Sequence, residues 1–153
     1  MARRFQFRGT RSGVTIVDDY AHLPSEVSAA IATAREGAVD GMWDRVVVIF
    51  QPHRYSRTES LWQDFADAFT DADVLVLTDV YAAGEPARPG VSGRLILRSV
   101  LDAHPSLNVS YLPRHSDMVS AFDRLTRPGD VLLTLGAGDV NTLADTWLAR
   151  SAS

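Results

Sequence analysis

The chain predicts an α/β fold: a Rossmann-like three-layer sandwich built on a mostly parallel sheet, in a single domain spanning 1–153. Two observations carry this expectation. Three short runs, Val46–Phe50, Val74–Leu77 and Val131–Leu135, are strongly apolar, broken only by Thr134, as strands buried on both faces are. Between such runs lie segments with apolar residues at helical spacing, most clearly Val27, Ala30, Ile31 and Ala34. Strand alternating with helix is the pattern of right-handed βαβ units on a parallel sheet.

In order, Phe5 and Phe7 alternate with polar residues before Gly9 and predict a short edge strand. Val14–Val17 predict a second strand, running into Asp18, Asp19, Tyr20, Ala21 and His22. Pro24 suits a helix's first turn, and the periodicity extends that helix over 24–36. After Gly37 and Gly41 comes the central strand, stopped by Pro52, which has no N–H for a ladder. A helix from Thr58 would present Leu61, Trp62, Phe65 and Phe69 on one side. Val74–Leu77 lead into the polar segment Asp79–Glu85, a loop rich in proline and glycine follows, and a short helix carries Leu95, Ile96 and Val100. Val109–Leu112 form a weaker strand, and Ser116 is a candidate cap for a helix with Val119, Phe122 and Leu125 inward. Val131–Leu135 and the Gly136-Ala137-Gly138 turn precede a last helix carrying Val140, Leu143, Ala144, Trp147 and Leu148.

Composition excludes several chemistries. The formal net charge of −4 gives no general attraction to nucleic acid or anionic membrane. All 15 basic residues are arginine, so the phosphate-binding lysine of a P-loop cannot come from this chain. Cysteine is absent, which removes disulfides, thiolate catalysis and cysteine-bound metals. No run approaches a membrane span and the start lacks a signal-peptide core, so a cytoplasmic protein is expected. The plain start and the Ser-Ala-Ser end fit a domain cut from a longer chain.

In an open α/β sheet, ligands bind at the carboxyl ends of the strands, where three polar loops should meet: Asp18–His22, His53–Arg57 and Asp79–Glu85. His53, Arg54, Tyr55 and Arg57 suit an anion, because guanidinium meets carboxylate or phosphate as a two-pronged fork. Asp18 and Asp19 are candidates for a ribose hydroxyl or a magnesium shell, with a helix-capping role as the alternative. His22 could face a phosphate, while His104 and His115 have no partners in sequence and receive no function. Gly136-Ala137-Gly138 does not complete G-x-G-x-x-G, since Asn141 stands at the third position. It reads as a close strand–helix junction. No nucleophile–base pair and no metal-ligand cluster is found, so no catalytic residue and no metal site is assigned to this domain alone.

Asp18-Asp-Tyr-Ala-His-Leu-Pro24 resembles the Asp-Asp-Tyr-(Ala/Gly)-His-His-Pro segment that opens the C-terminal domain of the ATP-dependent Mur ligases, with Leu23 in place of the second histidine. Phe50-Gln-Pro-His-Arg-Tyr-Ser-Arg-Thr58 resembles a signature of the branch that acts on L-alanine. Asp79–Glu85, Gly90-Val-Ser-Gly93 and Gly136–Asp139 fit the same branch, and Arg3–Gln6 resembles the segment after its interdomain hinge.

The resemblance implies a C-terminal domain whose N-terminal UDP-sugar-binding and central ATPase domains lie outside this chain. The whole enzyme would join L-alanine to the lactyl carboxylate of UDP-N-acetylmuramate for peptidoglycan synthesis. It would cleave ATP to ADP through an acyl phosphate that the amine attacks. The central domain would be this chain's partner and would hold the P-loop, the magnesium and the catalytic lysine; detached, this domain would be inactive. Carried over, Asp19 would contact the ATP ribose, Tyr20 and His22 would line the site near phosphate and alanine, and His53, Arg54 and Arg57 would hold the alanine carboxylate and face the acyl phosphate. Two alternatives stand: the related ligase that recycles murein peptides, and a free-standing module that binds a nucleotide or amino acid without catalysis.

Overall fold

A computed structural model of the chain describes residues 4–150; Arg3 and the Ser-Ala-Ser end lie outside them. Six strands, β1 (Gln6–Arg11), β2 (Val14–Asp19), β3 (Arg45–Phe50), β4 (Val74–Leu77), β5 (Val109–Tyr111) and β6 (Asp130–Leu135), form one sheet in the order β1-β2-β6-β3-β4-β5. β1 pairs antiparallel with β2, and every other pairing is parallel. Five helices connect them: α1 (Pro24–Val39), α2 (Tyr55–Leu61), α3 (Gly93–Ala103), α4 (His115–Leu125) and α5 (Asn141–Ala149).

The apolar strands are buried on both faces because successive side chains feed two cores. Val46, Val48 and Phe50 join α1, α3 and the Phe65–Phe69 region on one side. Val47 and Ile49 join Met118 and Phe122 of α4 and Leu143 and Trp147 of α5 on the other. The three-layer sandwich follows directly. Trp147 is a core residue as its helical spacing predicts, while Trp62 is partly buried against the first core.

β6 sits between β2 and β3, and α5 packs on the face opposite α1. Connections therefore leave neighbouring strands to opposite faces, opening a crevice at the carboxyl edge beside β6.

α1 runs through Gly37 to Val39 instead of ending at 36, and three other elements also differ from the expectation. β1 continues through Gly9 to Arg11, because a bulge between Phe7 and Gly9 absorbs the irregularity and only glycine readily takes Gly9's φ of +149°. α2 begins at Tyr55 rather than Thr58 and tightens into a 3₁₀ turn over Trp62–Phe65. Phe50, Phe65 and Phe69 still cluster, with ring centroids 5.1 and 5.4 Å from Phe50. α4 begins at His115 behind an extended Arg114, so Ser116 lies inside its first turn and does not cap it.

Candidate functional site

The β2–α1 loop is closed by its own acids. Asp19 accepts from the N–H of Ala21 through one carboxylate oxygen and from the N–H of Phe5 through the other, both at 2.8 Å. Leu23, at the N-cap, has no polar side chain, and Glu26 serves instead, accepting from the N–H groups of Leu23 at 3.1 Å and His22 at 3.3 Å. Burial pulls the Glu26 carboxyl upward, but those backbone donors, with His22 and Arg4, hold it below its ordinary value. The loop thus enters α1 with Tyr20 and His22 pinned, their rings edge-to-face at 5.4 Å.

Asp18 has neither role considered for it. It is fully buried within β2 and accepts from the Thr134 hydroxyl of β6 at 2.7 Å, with the Arg8 guanidinium 4.0 Å away. It ties two strands together and neither caps a helix nor faces a ligand. Asp79 is also occupied, accepting from Val80 and Gly93 N–H and so tying the end of β4 to α3.

The loop after β3 carries the cations. His53 lies 5.9 Å from His22 and stacks on Tyr81 at 5.8 Å, so an aromatic row, Tyr20–His22–His53–Tyr81, crosses the carboxyl edge. Arg57, in the first turn of α2, donates to His53 Nδ1 at 2.9 Å. An imidazole nitrogen that accepts from guanidinium carries no proton, so His53 keeps its hydrogen on Nε2. Burial, then the charges of Arg57, His22 and Arg54, push its pKa below the ordinary imidazole value, which favours this neutral form. Arg54 is exposed, and its guanidinium has no partner among the described residues. Its backbone has φ +72° and ψ 139°, a region that costs an L residue about 1–3 kcal/mol and that tends to occur at functional sites.

Two supports were not legible in sequence. The buried Gln51 donates to Asp139 at 2.7 Å, accepts from Val140 N–H at 3.2 Å and approaches His115 at 3.2 Å, locking the β3 and β6 ends together. Glu85 accepts from both the N–H and the hydroxyl of Ser56 and so caps α2 from 29 positions away. No local pattern announces such a cap, which is why the start of α2 was misplaced. The Gly136–Gly138 turn is the tight junction expected: a Cβ on Gly138 would lie 2.5 Å from the Tyr81 ring and 2.7 Å from Gln51 Oε1.

The sheet edge thus brings together Tyr20, His22, His53, Arg54 and Arg57, while Asp19 borders a cleft of about 480 Å³ beside Arg4, Phe5 and Thr33. The cluster can bind an anion and offer a neutral imidazole donor from His53. Among the described residues no group of three or more His, Cys, Asp or Glu is placed to hold a metal ion, and no helix is long and apolar enough to cross a membrane.

Comparison with known proteins identifies the family and the fold. The family model described as "Mur ligase, glutamate ligase domain" matches residues 3–138. The UDP-N-acetylmuramate–L-alanine ligase of Sorangium cellulosum is 47% identical over 150 residues, covering 98% of this chain and 32% of the relative. Among solved structures, the UDP-N-acetylmuramate–alanine ligase of Thermotoga maritima superposes with a TM-score of 0.75 at 27% identity, over 97% of this chain and 29% of that one. The murein peptide ligase of Psychrobacter arcticus gives 0.76 at 18% identity, over 99% and 31%. The chain spans about a third of the length of the curated relatives it matches. It belongs to the Mur ligase family, as that family's C-terminal domain.

Proposed function

We propose that this chain is the C-terminal domain of an ATP-dependent ligase that joins L-alanine to UDP-N-acetylmuramate in cytoplasmic peptidoglycan precursor synthesis. The observation that carries the reading is the meeting of His53, Arg54 and Arg57 with Tyr20 and His22 at the carboxyl edge. The names of curated relatives at 43–49% identity support the choice of substrates. The likeness to the Psychrobacter arcticus enzyme, at 18% identity, concerns the fold and does not favour the recycling ligase.

In this reading Arg54 and Arg57 hold the carboxylate of L-alanine, and neutral His53 adds a donor through Nε2. His22 and Tyr20 close the same site from the neighbouring loop. Asp19 takes a ribose hydroxyl of ATP; each of its oxygens accepts one backbone N–H, and a carboxylate offers about four acceptor positions in all. The adjoining cleft, with Phe5 on its wall, fits a nucleotide. ATP, when bound, activates the sugar's carboxylate, and this domain's contribution is to present the amine in line with it. With no lysine in the chain, the P-loop and magnesium are assigned to the central domain of the full-length protein.

The test uses the full-length protein and follows ADP release that depends on both UDP-N-acetylmuramate and L-alanine. Arg54→Ala and Arg57→Ala should each lower kcat/KM for L-alanine at least about tenfold, since a charge-assisted contact contributes about 1.5–3 kcal/mol. KM for UDP-N-acetylmuramate should move much less. Near-wild-type kinetics in both variants would return the loop to an ordinary strand–helix connection.

A further inference from the structure

In the loop after β4, Tyr81 and Glu85 make contacts with the cationic loop that none of these roles uses. Tyr81 N–H donates to Pro52 O, and Arg54 N–H donates to Tyr81 O, each at 2.8 Å. These bonds extend the β3–β4 ladder by one isolated bridge, His53 to Tyr81. The Tyr81 ring lies parallel to the His53 ring, 8° apart, and also abuts Gly138, leaving no space there for a Cβ. Four residues on, Glu85 grips Ser56 at the head of α2, immediately before Arg57.

The local bonds of the cationic loop, from Arg57 to His53 Nδ1 and from the Thr58 N–H and hydroxyl to Arg54 O, neither relieve the backbone of Arg54 nor cap α2. Arg54 is a non-glycine residue at φ +72°, and the N-terminus of α2 has no side-chain cap of its own. The conformation must therefore be imposed by tertiary contacts, and those contacts come from Tyr81 and Glu85. Hydrogen bonds from Ser56 hold the Glu85 carboxyl below its ordinary value, so the grip persists as an ionised one.

We propose that Tyr81 and Glu85 are positioning residues, a strap that fixes the His53–Arg57 loop so that both arginines are aimed before a ligand arrives. The proposal rests on reading that loop as the site for the amino acid's carboxylate. Its physical basis is preorganisation: a cation already in place loses little freedom on binding. A loosened strap should therefore weaken amino-acid binding and leave the nucleotide side alone.

The experiment measures KM and kcat in the full-length protein carrying Tyr81→Ala, Tyr81→Phe, Glu85→Ala or Glu85→Gln. Both alanine variants should raise KM for L-alanine about tenfold, with KM for ATP within about twofold of wild type. Phenylalanine keeps the ring on His53, and glutamine still accepts from Ser56 N–H, so both should recover most of the loss. A parallel NMR titration of labelled His53 reads the strap without turnover. Around His53 stand Arg54 and Arg57 on its own loop, His22 on the β2 loop and Glu85 on the strap. Uncovering the ring in Tyr81→Ala should relieve burial and move its pKa up, and Tyr81→Phe should restore it. Equal increases in KM for ATP and L-alanine, or an unchanged alanine KM, overturn the proposal. If the wild-type protein uses no L-alanine, the ligation reading fails by itself. The strap is then decided by the His53 titration: a shift in Tyr81→Ala upholds it and an unmoved one overturns it.

Discussion

Arg54 offers a substitution in which stability and function move in opposite directions. Its backbone sits at φ +72° and ψ 139°, the side chain is exposed, and the guanidinium has no partner among the described residues. Strain of this kind costs about 1–3 kcal/mol and is relieved by glycine but not by alanine. Against this, glycine at an ordinary position is less stable than alanine by about 0.5–1 kcal/mol, because it frees the unfolded chain. The balance favours Arg54→Gly over Arg54→Ala by about 1 kcal/mol, reversing the usual order. The N–H held by Tyr81 O survives both changes, so the comparison isolates φ. Urea unfolding of the 153-residue chain should show the glycine variant's midpoint about 0.5 M higher, taking a slope of about 2 kcal/mol per molar. In the full-length protein both variants should lose at least about tenfold in kcat/KM for L-alanine. An alanine variant as stable as the glycine one would refute the strain argument, and with it the view that a functional side chain holds its place here against a local cost.

Two further outcomes are expected. Asp18→Ala strands the buried Thr134 hydroxyl and should cost about 1–3 kcal/mol in urea unfolding; KM for L-alanine should be unchanged, because Asp18 bonds strand to strand. The pH dependence follows from His53, whose pKa is lowered in the folded state from an ordinary value of 6.5, first by burial and next by Arg57. Its contribution is fully present above that value and is lost as pH falls toward the folded pKa, because the unfolded chain takes up a proton that the native one refuses. Arg57→Ala removes a cation, should move the His53 titration up, and should flatten the acid-side loss measured by unfolding at several pH values.

The central strands could be read from sequence because complete burial leaves a direct mark: Val46–Phe50 has no polar position and Val131–Leu135 only Thr134, whose hydroxyl is satisfied by Asp18, and the two cores take every apolar residue of both runs. α1, α3 and α5 were legible for a related reason, since each buries one face and repeats its apolar residues at helical spacing. Two of the boundaries that went wrong are decided by distant residues. α2 starts where Glu85 can reach Ser56, and β1 passes Gly9 because β2 pairs beyond a bulge.

The candidate site divides in the same way. Residue types and the loops bearing them were visible: arginines and a histidine after a strand-stopping proline have few uses besides meeting an anion. Asp18 and Asp19, adjacent and alike in sequence, were not separable until pairing with β6 turned Asp18 into a buried strand tie. Asp19, one residue later, lies at the edge and closes the loop. By itself, then, the sequence determined the layers, the edge of the sheet where the polar loops meet and the sign of charge that gathers there, because these follow from local periodicity and side-chain chemistry. Only the tertiary structure decided the strand order, the protonation of His53, the strained φ of Arg54 and the strap that holds it. Each of these depends on contacts between residues far apart in the chain, which a one-dimensional pattern does not encode.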